Sequence, residues 1–189
     1  MRYNYPFIVI EGTDGSGKST LCDWITEKYG YRKYKSIGGA FAKVKHEFDI
    51  DRVTIRERFS FLCGEAINNA YIVKQELQNG NPIIFDRYYY STLVYCESLY
   101  PSISSEYKFL FDHLPKPDLV LFVQTDFDIM LKRITERGNL TLIEKKYTSE
   151  ADFEILISNY MKHIDANKMI IDNNKSIDYA KEQINRILK

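Results

Sequence analysis

The sequence predicts an α/β fold, a parallel sheet covered by helices on both faces. Three observations carry that prediction. Short apolar runs at 7–11, 82–85, 118–123 and 168–172 alternate with longer stretches whose apolar residues recur every three or four positions. Three of the runs end on polar pairs, Glu11-Gly12, Asp86-Arg87 and Gln124-Thr125, and ligands in such folds lie beyond the carboxyl ends of the strands. The length, 189 residues, suits a single domain over 1–189 with a sizeable core.

The elements follow in order. Residues 7–11 form a buried strand that runs into a glycine-rich turn. Leu21, Trp24 and Ile25 share one face of a helix over 18–29. Residues 31–36 read as a second strand and 37–41 as a loop. A long helix covers 54–78, where Ile55, Phe59, Leu62, Ala66, Ala70, Val73 and Leu77 keep helical spacing and "QNG" supplies a C-terminal glycine. The strand 82–85 ends on Asp86-Arg87. Helical material continues to about His113, where "LPKPD" breaks it. Residues 118–123 form another strand, and a helix from Asp126 ends near Arg137-Gly138. The polar, weakly periodic stretch 138–149 reads as a mobile loop. A helix over 150–165, a strand at 168–172 and a helix over 176–188 complete the chain, the last with Ile177, Ala180, Ile184 and Ile187 on one stripe.

Composition narrows the partners. The 26 basic residues balance the 26 acidic ones, so no global field recruits nucleic acid or an anionic membrane, and any anion site must be local. Hydrophobic residues make up 44% and charged residues 28%, as in ordinary soluble domains. Cys22, Cys63 and Cys96 are odd in number and widely spaced, which predicts reduced thiols; no Cys/His spacing suggests zinc. The start, "MRYNYPFIVIEG", runs directly into a strand, and no apolar stretch approaches a membrane span. A cytoplasmic location is expected.

The turn "IEGTDGSGKST" carries the chemistry. Gly12-x-x-x-x-Gly17-Lys18-Ser19 fills every fixed position of the P-loop pattern, between a strand and a helix as the mechanism requires. Gly12, Thr13, Asp14, Gly15, Ser16, Gly17, Lys18, Ser19 and Thr20 are therefore expected to cradle the phosphates of ATP. Backbone N–H groups and the helix dipole supply the positive potential. Lys18 should reach the β- and γ-phosphates, and the Ser19 hydroxyl should sit on Mg²⁺. A GTPase would need Asp-x-x-Gly and Asn-Lys-x-Asp; here "DRYY" lacks the glycine and "NKMI" the aspartate. Motor and transporter ATPases usually carry more chain. A small-molecule kinase fits best, and a nucleotide sensor that binds ATP without turnover is the non-enzyme alternative.

Three segments, "FIVIEGTDGSGKST", "FDRYYYSTLVY" and "KRITERG", in this order and at these separations, resemble the thymidylate kinases over nearly the whole chain. The resemblance implies a three-layer P-loop kinase fold with a five-stranded parallel sheet and a short lid at about 138–149. It implies a homodimer that transfers the ATP γ-phosphoryl group to dTMP. Carried onto this sequence, Asp14 resembles the loop carboxylate near the acceptor's sugar and phosphate. Arg87 resembles the arginine that grips the acceptor phosphate. Asp86 is placed to orient Mg²⁺ or its waters. Phe61 matches the aromatic that stacks on the base, while Ser91, Thr92 and Tyr95 match the nucleoside pocket. Arg133 and Arg137 resemble the arginines that open the lid. Position 15 is glycine, so the catalytic guanidinium is expected from the lid, with Arg137 favoured over Arg133, Lys145 and Lys146.

The sequence departs from the family pattern at four places. "REPGG" appears as "KSIGG" at 35–39, and the lid's Asp-Arg pair falls at Thr141-Leu142. The residue at Thr92 is not fixed across the family. The position of the arginine that meets the thymine carbonyl is Glu65, which as an acceptor could face an exocyclic amine and so select another deoxynucleotide. The other enzyme reading is a deoxynucleoside kinase. Its acceptor hydroxyl needs a base, and "YRKYKSIGGAF" contains no acid.

Overall fold

The computed structural model describes residues 3–49, 51–138 and 140–189. It holds β1 (Phe7–Glu11), α1 (Lys18–Tyr29), β2 (Arg32–Lys35) and α2 (Gly39–Val44), the last continued by a 3-10 turn, Lys45–Phe48. Next come α3 (Ile55–Gln78), β3 (Ile83–Asp86), α4 (Tyr89–Leu99), α5 (Ile103–Glu106), α6 (Lys108–Asp112) and β4 (Leu119–Gln124). The chain closes with α7 (Phe127–Arg137), α8 (Leu142–Lys146), α9 (Glu150–His163), β5 (Lys168–Asp172) and α10 (Ile177–Leu188).

The five strands form one parallel sheet in the order β2-β3-β1-β4-β5. Side chains alternate across it. Phe7, Val9 and Phe85 pack with α3, α4 and α9, whereas Ile8, Ile10 and Ile84 pack with α1 and α10. The three layers expected from the sequence are therefore present, with a core on each face. Strand order reverses at β1, so the turn that follows it lies at the switch point of the sheet. Register does the rest: Ile10 pairs with Asp86, and Lys35 also pairs with Asp86, which brings three strand ends to one place.

Three segments depart from the sequence expectation. Residues 37–41 are not simply a loop, because Gly39 opens α2. The helical stretch after β3 is split into α4, α5 and α6. The expected mobile loop contains α8, held by a reciprocal cap in which Thr141 Oγ1 accepts from Glu144 N and Glu144 accepts from Thr141 N. Asn139 lies outside the described residues. Tyr147, just past α8, is buried and bonded to Ser98 on α4, so this segment is docked on the body. All three cysteines are free and buried, and burial pushes each thiol up to about 12. No helix among the described residues is long and apolar enough to cross a membrane.

Candidate active site

The turn after β1 is shaped by two glycines that nothing larger could replace. A Cβ at Gly12 would stand 2.4 Å from the Val123 carbonyl oxygen, and one at Gly17 would stand 2.5 Å from Asn173 Nδ2. Both also have positive φ, 144° and 92°, where side chains are strained. Asn173 Nδ2 donates to Ser16 O at 2.7 Å, and Arg133 donates to Gly15 O at 3.3 Å and Asn173 O at 3.1 Å. Arg133 thus braces the outside of the turn.

Lys18 is folded back into that turn, its Nζ donating to Thr13 O and, at 3.3 Å, to Ser16 Oγ. Burial, reinforced by the nearby Arg87 charge, lowers its pKa to about 7 against the pull of Asp14, Asp86 and Glu11. At pH 8 the free chain then holds Lys18 largely neutral, and a triphosphate bound beside it would favour the ammonium. Triphosphate binding should therefore take up protons at pH 8 and far fewer at pH 6. Calorimetry in buffers of different ionisation enthalpy reads this directly, and an enthalpy independent of buffer at pH 8 contradicts it.

Ser19 Oγ donates to Asp86 Oδ2 at 2.7 Å, so two hard oxygen donors meet at the mouth of the turn. Mg²⁺ is usually held by one or two such protein oxygens together with substrate phosphates, and this pair fits that donor set. Among the described residues no cluster of three or more His, Cys, Asp or Glu offers a dedicated metal cage.

Arg87 is the hub. It follows β3 with φ 70°, an uncommon conformation for a residue other than glycine, and its N–H bonds Ile10 O at 3.0 Å. That turn throws the guanidinium back over the P-loop. Nη2 donates to Asp14 Oδ1 at 2.7 Å, and Nη1 donates to Ser91 Oγ at 2.9 Å and Tyr160 Oη at 2.8 Å. Tyr95 Oη donates to Asp14 Oδ2 at 3.1 Å. Burial alone would raise the Asp14 carboxyl, but Arg87 and Lys18 outweigh it and hold it at about 2. Glu11 lies beneath, fully buried and raised by that burial despite Arg87; it accepts from Tyr88 N at 2.9 Å and Ser91 Oγ at 2.6 Å. A carboxylate there also steadies the N-terminus of α4.

Two adjoining cavities meet at this hub. The first, about 220 Å³, is walled by Gly15, Gly17, Lys18, Ser19, Thr20 and Asp86. The second, about 460 Å³, is walled by Ser91, Thr92, Tyr95, Cys96, Leu62 and Arg58 among others. Asp14, Lys35 and Arg87 line both. Arg137, at the end of α7, reaches the first cavity and pairs with the buried Glu144 of α8. Gly12, Thr13 and Ser16 are buried behind the turn and give it shape.

Two expected base contacts are placed otherwise. Glu65 is 1% exposed and does not line the second cavity. Its carboxylate accepts from Ile37 N at 2.8 Å, from Ser36 Oγ at 3.4 Å and from Asn69 Nδ2. It clamps the turn after β2, where Ile37 has φ 57°. Phe61 lies in a third, outer cavity of about 530 Å³, and its ring stacks on Phe48 with centroids 4.3 Å apart. Glu65 shares nearly the same face of α3 as Arg58, seven residues on, but lies further along the axis, against the turn after β2, whereas Arg58 and Leu62 sit where that face meets the cavity; Phe61 lies about 100° round from Leu62. Sequence reading gave no role to Glu11, Tyr160, Lys35, Arg58 or Glu144. Only Lys35 and Glu144 carried a local signal, one as the substituted arginine of "KSIGG" and the other in the Thr-x-x-Glu spacing of a capping box.

Comparison with known proteins agrees with this architecture. A thymidylate kinase family model matches residues 10–184. A thymidylate kinase of Brachyspira hyodysenteriae is 31% identical over 85% of this chain and 85% of its own length. A deoxyguanosine kinase of Bacillus subtilis is 30% identical over 82% of this chain and 76% of its own. In structure, a thymidylate kinase from Candida albicans superposes with a TM-score of 0.72 at 21% identity, over 95% of this chain and 89% of that one. The match spans the P-loop, the Asp86-Arg87 strand end and the lid segment alike, and the chain belongs to the thymidylate kinase family.

Proposed function

We propose that this chain, as an ATP-dependent nucleoside monophosphate kinase of its family, moves the γ-phosphoryl group of ATP to a deoxynucleoside monophosphate, with dTMP the preferred acceptor. One observation carries the reading: the P-loop cavity and the larger cavity share Asp14, Lys35 and Arg87 as their common wall. Two anions bound in these cavities would face each other across two cations, an arrangement suited to in-line phosphoryl transfer.

In the step itself an acceptor phosphate oxygen forms a bond to the γ-phosphorus. The bond to the β–γ bridging oxygen breaks, and ADP leaves with that electron pair. The acceptor oxygen is already ionised, so no base is required. Lys18 leaves Thr13 O and Ser16 Oγ for the β- and γ-phosphates, while Arg87 and Lys35 hold the acceptor phosphate. Arg137, 55% exposed at its side chain, would exchange Glu144 for the equatorial oxygens. Mg²⁺ on Ser19 and Asp86 would neutralise the β- and γ-phosphate charge. Asp14 and Tyr95 line the stretch of the cavity where a deoxyribose would lie, and Thr92 and Leu62 would border the nucleoside.

The B. subtilis relative raises the alternative of a nucleoside acceptor. That reaction needs a carboxylate base in the cleft. Glu65 is walled off behind Ser36, and Asp14, at about 2 and tied to Arg87, is a weak base. The monophosphate is therefore favoured. A coupled assay for ADP across dTMP, dUMP, dCMP, dGMP and dAMP, beside the unphosphorylated nucleosides, decides the matter. Magnesium-dependent turnover with dTMP supports the proposal, and turnover only with nucleosides overturns it.

The finer expectations belong to the same proposal: a single catalytic domain over 1–189, a cytoplasmic setting and a homodimer. Ile67 and Tyr71, one turn apart and exposed on the outer face of α3, support the last. Sedimentation at micromolar concentration should return the mass of two chains; a single-chain mass removes the dimer.

A further inference from the structure

We propose that Arg58, rather than the residue at position 65, reads the acceptor base and selects bases whose outer edge presents acceptor atoms. The inference rests on the kinase reading for the direction in which the acceptor lies. The larger cavity adjoins the P-loop cavity at Asp14, Lys35 and Arg87, and it adjoins the outer cavity at Ile37, Arg58, Leu62 and Ile143. An acceptor with its phosphate at the first end has its base at the second. The sugar then passes Asp14 and Tyr95.

At that far end Arg58, Lys45, Thr92 and Thr141 line the larger cavity, and among the described residues its carboxylate, Asp14, stands at the phosphate end; Asp49 and Asp51 line the adjoining outer cavity, where Asp49 is paired with Arg58 Nη1. Of the two cations there, Arg58 is half-buried and Lys45 exposed. The Arg58 side chain is 13% exposed, and Nη1 is fixed by Phe48 O at 2.6 Å and Asp49 Oδ1 at 3.1 Å. Among the described residues Nη2 has no hydrogen-bond partner in the protein. Arg58 and Cys96 line the same cavity.

A guanidinium donates and never accepts. It complements O4 of thymine or uracil and O6 with N7 of guanine, and it leaves the amines of cytosine and adenine unpaired. Glu65 holds Ser36 and Ile37, and the base-reading cation stands two turns earlier on α3.

The test compares kcat/KM for the five deoxynucleoside monophosphates, and their binding by calorimetry, in wild type, Arg58→Gln and Glu65→Gln. Wild type should prefer dTMP, dUMP and dGMP to dCMP and dAMP by about tenfold or more. Arg58→Gln should collapse the dTMP-to-dCMP ratio by about tenfold, through KM more than kcat, while Glu65→Gln keeps the ratio. A purely structural role for Arg58 would weaken all acceptors alike, and an unchanged ratio in Arg58→Gln overturns the proposal, as does a ratio that moves with Glu65→Gln. Absent turnover with an Arg58-dependent binding ratio would overturn the kinase reading and leave the base reading standing. Absent binding of every monophosphate overturns both.

Discussion

Replacing Lys18 with methionine should lower kcat for acceptor-dependent ADP formation by at least about 10³-fold, the scale expected when a cation aimed at transferring phosphate is lost. Methionine keeps most of the stem that fills the buried site, so the fold should survive. Indeed, the ligand-free protein should unfold at an equal or higher temperature. An ammonium whose pKa falls from 10.5 to about 7 on folding opposes folding. That opposition is full below about pH 7 and disappears as pH rises toward the unfolded value, because the unfolded chain binds the proton more tightly. The variant removes it outright. Steady-state kinetics with a thermal melt at pH 7 checks both halves. Turnover within tenfold of wild type would contradict the role of Lys18, and a lower melting temperature would contradict the account of its burial.

Arg87→Gly is expected to produce the second large effect. Glycine is the fitting choice because Arg87 has φ 70°, a conformation glycine adopts freely, so the turn after β3 is kept while the guanidinium is removed. Acceptor kcat/KM should fall by about 10²- to 10³-fold, with a raised KM and a lowered kcat. ATP affinity should not fall. Arg87 is among the charges that lower the Lys18 pKa, so without it Lys18 remains more fully protonated at pH 8, which offsets the guanidinium charge lost from the P-loop cavity. The proton uptake on ATP binding should shrink in the same variant. Asp14 should also lose its depressed pKa, since burial pushes it up and the Arg87 charge was the main opposing influence. A loss confined to ATP binding would contradict the placement of Arg87 between the two cavities.

What the sequence disclosed follows from how local each signal is. The P-loop is a contiguous strand-turn-helix, so Gly12, Gly17, Lys18 and Ser19 could be placed from spacing alone. The stripes on α3 and α10 and the buried runs of β1, β3 and β4 were legible for the same reason. Lys18, Ser19, Asp86, Asp14 and Arg87 do converge in the structure. Long-range partners were not legible. Tyr160 stands 148 residues from Gly12, whose carbonyl it bonds, and it is one of 15 tyrosines. Phe61 and Glu65 are both helical, as expected, and Glu65 shares nearly the same face of α3 as Arg58, two turns earlier. What only packing decides is where along that face the cleft ends: Arg58 and Leu62 line it, whereas Glu65, about one turn past Leu62, meets the turn after β2. At 138–149 the polar, weakly periodic composition pointed to a mobile loop, although the Thr141-x-x-Glu144 spacing already encoded a helix start.

The central claim is that donor and acceptor lie end to end in two cavities with one shared cationic wall. A single ligand joining adenosine and thymidine through a pentaphosphate tests it without any turnover. Titrated by calorimetry, it should bind at least about 100-fold more tightly than ATP or dTMP alone, because one molecule then fills both cavities without the entropy loss of a second. It should exclude both substrates, and Arg87→Gly should erase most of the gain. An affinity no better than that of ATP, or displacement of ATP with dTMP still able to bind, would contradict the arrangement.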